Sequence, residues 1–261
     1  MKISCVQMNM KFCDPAENFI RAEELIKDAL KENPDVIVLP EMWNTGFFPK
    51  ENLTELSDSN GEKTKEIIGS LAAKYNVNIV AGSVANVKNG KNYNTAYIFS
   101  RTGEVVGEYD KTHLFSPMKE DNSFCNGDKL CKFTLDGYSC SMIICYDVRF
   151  PELARTLAVG GLDFLFISAQ WPNVRIPHLT TLVRARAIEN QLFAVCCNSC
   201  GRAGETVYGG NSMIIDPWGE VLCQAGSEEE TITAECDTSV LDGIRSTINV
   251  FRDRRPELYT L

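Results

Sequence analysis

Short apolar runs alternate with helical stripes along this chain. Ile3 to Met8 has strand length, and after Asp14 and Pro15 the residues Phe19, Ala22, Leu25, Ile26, Ala29 and Leu30 recur at helical spacing. Asp14 stands where an N-cap belongs. The run Asp35-Val-Ile-Val-Leu-Pro40 is apolar throughout, as in a strand buried on both faces, and it ends directly at Glu41. An amphipathic helix around Lys63 to Tyr75 leads into a strand at Asn78 to Ser83. Asn89-Gly90 is a tight-hairpin signal, and strands follow at Ala96 to Phe99 and Val105 to Tyr109. From Lys111 to Asp128 periodicity is lost, which predicts a long loop of the kind kept for function.

The second half repeats the rhythm. Tyr138 to Cys145 reads as a buried strand, Pro151 to Val159 as a helix, and Leu162 to Ser168 as a strand echoing Asp35 to Leu39. A helix near Thr180 to Asn190, a strand at Leu192 to Cys197, and β segments at Ser212 to Ile215, Glu220 to Gln224 and Thr231 to Glu235 complete the pattern. Strand–helix alternation predicts an α/β fold with two sheets face to face and helices outside. No linker rich in Pro, Gly or Ser divides residues 1–261, so a single domain is expected.

Charge narrows the partners. With 26 basic against 35 acidic residues the net charge is −9, and no concentrated basic surface is available for nucleic acid or an anionic membrane. No apolar stretch has the length of a spanning helix, and the N-terminus turns polar quickly, which points to the cytoplasm. The 11 cysteines are odd in number and irregularly spaced, unlike a secreted disulfide framework. Cys197-Asn-Ser-Cys200 is a CxxC without a second ligand pair, and only His113 and His178 are present, so neither a metal nor any other cofactor is expected.

Polar residues at the ends of strands carry the chemistry. Glu41 follows Val-Ile-Val-Leu-Pro, Lys111 follows Glu-Tyr-Asp, and Cys145 follows Ser-Met-Ile-Ile. Loops at such ends converge on one crevice. A thiol, a carboxylate and an ammonium together suit acyl transfer. The ammonium lowers the thiol pKa, the carboxylate takes its proton, and Lys111 with the Tyr146 N–H holds the oxyanion. Glu41 then protonates departing ammonia and activates the water that breaks the thioester. Each residue has a plainer reading: Cys145 as apolar packing, Glu41 and Lys111 as an exposed ion pair, Asp147 and Arg149 as a pair within the turn. His113 is a loop anchor or the base of a cysteine dyad, and Trp43, Phe47 and Phe48 are either crevice wall or core.

The segments Leu39-Pro-Glu41-Met-Trp43, Tyr109-Asp-Lys111-Thr-His-Leu-Phe115 and Ile144-Cys145-Tyr-Asp-Val-Arg-Phe-Pro-Glu152 resemble, in order and spacing, the signature blocks of the nitrilase superfamily of carbon–nitrogen hydrolases. The resemblance implies a four-layer α-β-β-α sandwich, a homodimer with the tail from about residue 237 in the interface, and a Glu41, Lys111, Cys145 triad. Glu120 matches the family's second glutamate, expected to orient Lys111 and the substrate amide. Ala169-Gln-Trp171-Pro-Asn-Val-Arg175 and Arg184 to Gln191 are most similar to the ω-amidase branch, which cleaves the terminal amide of 2-oxo acid amides. Trp171 and Arg175 are then candidate substrate contacts, with Arg175 either clamping a carboxylate through its planar fork or forming an interface ion pair. Leu179 departs from an aromatic frequent after the His178 position and leaves the pocket wall open. Alternatives are a nitrilase, an N-carbamoyl hydrolase, or a catalytically silent binding protein on the same fold.

Overall fold

A computed structural model describes residues 1–47, 49 and 51–259. Its first sheet runs in the spatial order Glu230–Glu235, Lys2–Gln7, Val36–Val38, Asn78–Lys88, Lys91–Phe99 and Val105–Asp110, with the short Asp58–Ser59 against Asn78–Lys88. The second runs Val221–Gln224, Met213–Ile215, Phe193–Asn198, Phe164–Ala169, Tyr138–Ile144 and Lys132–Leu135. Strands that read as unbroken apolar runs are the parallel centres: Lys2–Gln7 beside Val36–Val38, and Phe164–Ala169 between Tyr138–Ile144 and Phe193–Asn198.

Side-chain alternation divides each central strand between two cores. Val36 and Val38 face the second sheet, whereas Ile37 and Leu39 pack under the helices Pro15–Ala29 and Glu62–Tyr75. Phe164 and Phe166 likewise point inward, and Leu165 and Ile167 outward against the helices Pro151–Ala158 and Ile176–Asn190. Four layers result, α-β-β-α, as the resemblance implies. Full burial of a Val, Leu or Phe side chain contributes roughly 1.5–3 kcal/mol, so the inner layer is the main attachment between the sheets. Asp14 caps the first helix by accepting from the Glu17 N–H at 3.1 Å. Asn89 and Gly90 both take positive φ, as the predicted hairpin requires.

Some segments depart from the periodicity. The last strand, Glu230–Glu235, returns to pair antiparallel with Lys2–Gln7, so the sheets do not correspond to sequence halves. Cys200–Ala203 and Thr206–Gly209 form a separate hairpin where the sequence offered only turn-forming glycines. Val240–Thr247 is a helix, and the Lys111 loop contains short 3-10 turns at Ser116–Met118 and Glu120–Asn122. Cys197 and Cys200 are buried free thiols directed at the carbonyls of Val6 and Gln7. Among the described residues no helix is long and apolar enough to cross a membrane.

Candidate active site

Glu41 is held by contacts from both sheets. Its N–H reaches the Ala169 carbonyl of the second sheet at 3.3 Å, and the Ser168 hydroxyl donates to the Leu39 carbonyl at 2.8 Å. On the other side, strand Asn78–Lys88 breaks register between Val80 and Ser83, and Gly82 there has φ +62. A Cβ on Gly82 would lie 2.0 Å from the Pro40 carbonyl oxygen, so only glycine allows this approach. Ser83 then donates its N–H to Pro40 and accepts the Met42 N–H on its hydroxyl. Trp43, two residues beyond Glu41, is fully buried, donates Nε1–H to the Ala81 carbonyl at 2.7 Å and packs edge-on against Phe19. It is core rather than crevice. Phe47 does reach the pocket, and Phe48 lies outside the described residues.

Lys111 leaves the end of strand Val105–Asp110 and is buried between carboxylates. Its ammonium donates to Glu41 Oε1 at 2.9 Å and to both oxygens of Glu120 at 3.0 and 2.9 Å. Glu120 also accepts the Phe115 N–H at 2.6 Å, which folds the loop around Lys111. Asn94 donates to Glu41 Oε1 at 2.9 Å. Glu41 Oε2 is buried and receives no hydrogen bond.

Cys145 begins a 3-10 turn, Cys145–Arg149, at the end of strand Tyr138–Ile144, with φ +49, a conformation that costs a non-glycine residue free energy and needs support. Asp147 supplies that support. Fully buried, it accepts from Ile144 N–H at 2.9 Å, Tyr109 hydroxyl at 2.8 Å, Thr112 hydroxyl at 3.1 Å and His113 N–H at 3.0 Å, and pairs with His113 Nδ1 at 2.8 Å. One carboxylate therefore staples the Cys145 turn to the Lys111 loop. The sequence reading of an Asp147–Arg149 pair is corrected: Asp147 is saturated by the loop, and Arg149 instead lies over the Trp171 ring at 4.5 Å, in the pocket wall. His113 is the loop anchor, stacked on Phe150 with centroids 3.7 Å apart.

The electrostatics set the resting protonation. Burial raises the Glu41 carboxyl above its ordinary range; Lys111 opposes this and the Glu120 charge adds to it. Burial acts to lower the Lys111 pKa, but Glu41, Glu120 and Cys145 together outweigh it and keep the ammonium charged well above its usual range. For Cys145, burial and then the Glu41 charge raise the thiol well above its usual value, against the pull of Lys111. The ammonium does pull the thiol pKa down, as expected, but burial and the Glu41 charge outweigh it. Cys145 therefore rests as a thiol beside a carboxylate, not as a free thiolate.

A cavity of about 420 Å³ opens on this group, lined by Cys145, Tyr146, Trp171, Arg175 and Tyr208 among others. The N–H of Tyr146, in the first turn of its 3-10 helix, is of the kind left without an intrahelical acceptor. Arg175 is half-buried, its guanidinium 4.9 Å above the Phe115 ring, and among the described residues it has no carboxylate partner. Leu179 is buried in the outer core of the second sheet and does not line the cavity. Sequence reasoning missed Tyr208, because its hairpin has no strand-length apolar run to signal it.

The four-layer sandwich and this juxtaposition define the class, and the comparisons agree with it. The Carbon-nitrogen hydrolase family matches residues 2–246, and the chain belongs to that family. It is 44% identical to a 2-oxoglutaramate amidase of Bacillus subtilis over 98% of each chain. Among solved structures it is similar to XC1258 of Xanthomonas campestris, described with an arsenic adduct in the active site, at TM-score 0.92 and 28% identity, covering 100% of this chain and 98% of that one. It is also similar to Nit3 of Saccharomyces cerevisiae, of nitrilase branch 10, at TM-score 0.90 and 28% identity over 98% and 96% of the chains.

Proposed function

We propose that this protein hydrolyses the terminal carboxamide of a small 2-oxo acid amide, releasing ammonia through a thioester on Cys145. The observation that carries the reading is Lys111 Nζ held at 2.9 Å by both Glu41 and Glu120, beside Cys145, in a cavity that also presents Arg149 and Arg175, neither of which has a carboxylate partner among the described residues. The ω-amide would meet the thiol and the distal carboxylate would meet the guanidiniums, whose forks suit it.

As Sγ attacks the amide carbon, its proton passes to Glu41 Oε2, the oxygen with no other hydrogen bond, and the carbonyl electron pair moves onto oxygen. Lys111 Nζ and the Tyr146 N–H hold that oxyanion. The C–N bond then breaks, Glu41 returns the proton to nitrogen, and ammonia leaves. Water, deprotonated by the same Glu41, attacks the thioester; the C–S bond breaks and the thiol is restored with that proton. Glu120 holds Lys111 in place throughout.

The same reading carries a cytosolic homodimer, with the helix Ile176–Asn190 and residues beyond 237 as contact surfaces; Ile188, Ile248 and Leu258 are exposed there. Sedimentation showing only monomer at micromolar concentration would overturn the dimer. The activity is tested by ammonia release from 2-oxoglutaramate, glutamine, an aliphatic amide and a carbamoyl amino acid, in wild type and Cys145→Ala. Release from 2-oxoglutaramate that disappears in the variant is expected. Turnover of one of the others alone keeps the thioester and rejects the substrate class, and silence on all favours a binding protein.

A further inference from the structure

Tyr208 presents a hydroxyl with nothing to bond. It lies on the hairpin strand Thr206–Gly209, is 3% exposed, and lines the same cavity as Cys145. The hairpin is fixed to the pocket floor by a bridge from Tyr208 to Pro172 and by Gly209 N–H to the Trp171 carbonyl at 3.0 Å. The ring sits 6.0 Å from that of Phe47, so its position is set by packing and backbone pairing rather than by the hydroxyl. The oxygen is buried and makes no hydrogen bond of full geometry; the Thr206 side chain is the polar group beside it.

Leaving a buried hydroxyl unpaired is unfavourable, and native proteins seldom do so without a use for it. Burial holds the phenol protonated well above its usual range, so it is a donor at every working pH. Tyr208 is within electrostatic reach of Glu41 and Cys145, and also of Arg175. All four line one cavity, so a ligand that reaches from the thiol to the guanidinium shares that cavity with the Tyr208 hydroxyl. Trp171 Nε1 is buried and unpartnered too, but its ring is the platform for Arg149.

We propose that the Tyr208 hydroxyl donates a hydrogen bond to the 2-oxo oxygen of the substrate and so selects 2-oxo acid amides over their saturated counterparts. The inference rests on the ω-amidase reading and adds a specificity-determining residue to it. A site built to hydrogen-bond a substrate group discriminates against the analogue that lacks it, because its own polar group is then left unpaired.

The test compares kcat/KM for 2-oxoglutaramate and for glutaramate, which has the same chain without the oxo group, in wild type and Tyr208→Phe. Wild type should prefer the oxo substrate; the variant should lose about tenfold on it and keep its glutaramate rate, the scale of one neutral hydrogen bond. Equal losses on both substrates, no loss on either, or no wild-type preference would each overturn the proposal. The ring is retained, so the thermal midpoint of Tyr208→Phe should equal or exceed wild type; a lower midpoint would mean that the hydroxyl is bonded within the protein, and also overturns it. Failure of the ω-amidase reading is seen separately, as wild type inactive on both compounds while another amide is turned over, and it takes this assignment with it.

Discussion

The two ends of the cavity are built in opposite ways. At the reacting end the charged groups hold one another: Lys111 bonds Glu41 and Glu120, Asn94 adds to Glu41 Oε1 and the Phe115 N–H to Glu120, Asp147 fixes the Cys145 turn, and Glu41 Oε2 is left open toward the thiol's proton. At the other end Arg149, which also contacts His178 Nδ1 at 3.3 Å, and Arg175 rest on aromatic faces without carboxylates among the described residues, and the Tyr208 hydroxyl is unpaired. Groups already bonded are preorganised for charge that develops in a transition state. Groups left unbonded have their partners still to come, which is what a ligand supplies. On the proposed function chemistry and selectivity are thus separated in space, and each end can be broken alone.

The largest effects belong to the reacting end. Cys145→Ala should reduce ammonia release by about 10⁶-fold, the scale seen when a covalent nucleophile is removed. Glu41→Gln keeps the shape and an acceptor for Lys111 but removes the base, and should lower kcat by about 10²–10⁴-fold. A Glu41→Gln enzyme within a fewfold of wild type would dismiss Glu41 as the proton carrier.

Asp147→Ala comes next, because it breaks the staple rather than the chemistry. It leaves Ile144 N–H, His113 N–H and the Tyr109 hydroxyl without their shared acceptor, and should cost about 3 kcal/mol in urea unfolding. His113→Gln keeps all of those donors and removes only the imidazole contact to Asp147, so it should leave turnover close to wild type; abolished turnover would restore the cysteine–histidine dyad.

At the mouth the effect should depend on substrate. Arg149→Ala and Arg175→Ala should each raise KM for a carboxylate-bearing amide by about tenfold or more, the scale of one charge-assisted hydrogen bond, and leave a neutral aliphatic amide nearly unaffected. Equal losses on both substrates would make the guanidiniums structural and blur the separation of the two ends.

The same separation explains what could be read from sequence. Central strands buried on both faces must be apolar throughout, so Val36–Val38 and Phe164–Ala169 were visible as runs, and Glu41 and Cys145 stood out as polar residues directly after such runs. Lys111 was legible as a polar residue at the end of a strand, whereas Glu120 was legible only through the resemblance to the family's second glutamate. The return of Glu230–Glu235 to the first sheet was hidden, since an edge strand with mixed burial signals a strand but not its neighbour. Arg149 was misassigned because proximity in sequence favoured Asp147 as its partner, whereas Asp147 is occupied by the Ile144 N–H and by Tyr109, Thr112 and His113, far away in sequence. Tyr208 had no signal, because its importance lies in a hydrogen bond that it lacks.

The smallest expected effect is on pH dependence, and it sharpens the account of the reacting end. Glu41 must be ionised to take the thiol proton, and burial with the Glu120 charge raises its pKa despite Lys111. At a given pH a raised pKa means a larger protonated fraction, so kcat/KM should fall with acid at a pH above the ordinary glutamate range. Stability runs the other way. The folded state favours the Glu41 proton, so this group's contribution is fully present below the unfolded glutamate pKa and is lost as pH rises through the folded value. Activity therefore appears over the same window in which that contribution fades. Glu120→Gln removes the like charge and should move the acid limb of kcat/KM downward, toward ordinary glutamate; a limb that stays in place would leave burial alone as the cause, and one that moves upward would show that Glu120 stabilises the Glu41 anion by holding Lys111 against it.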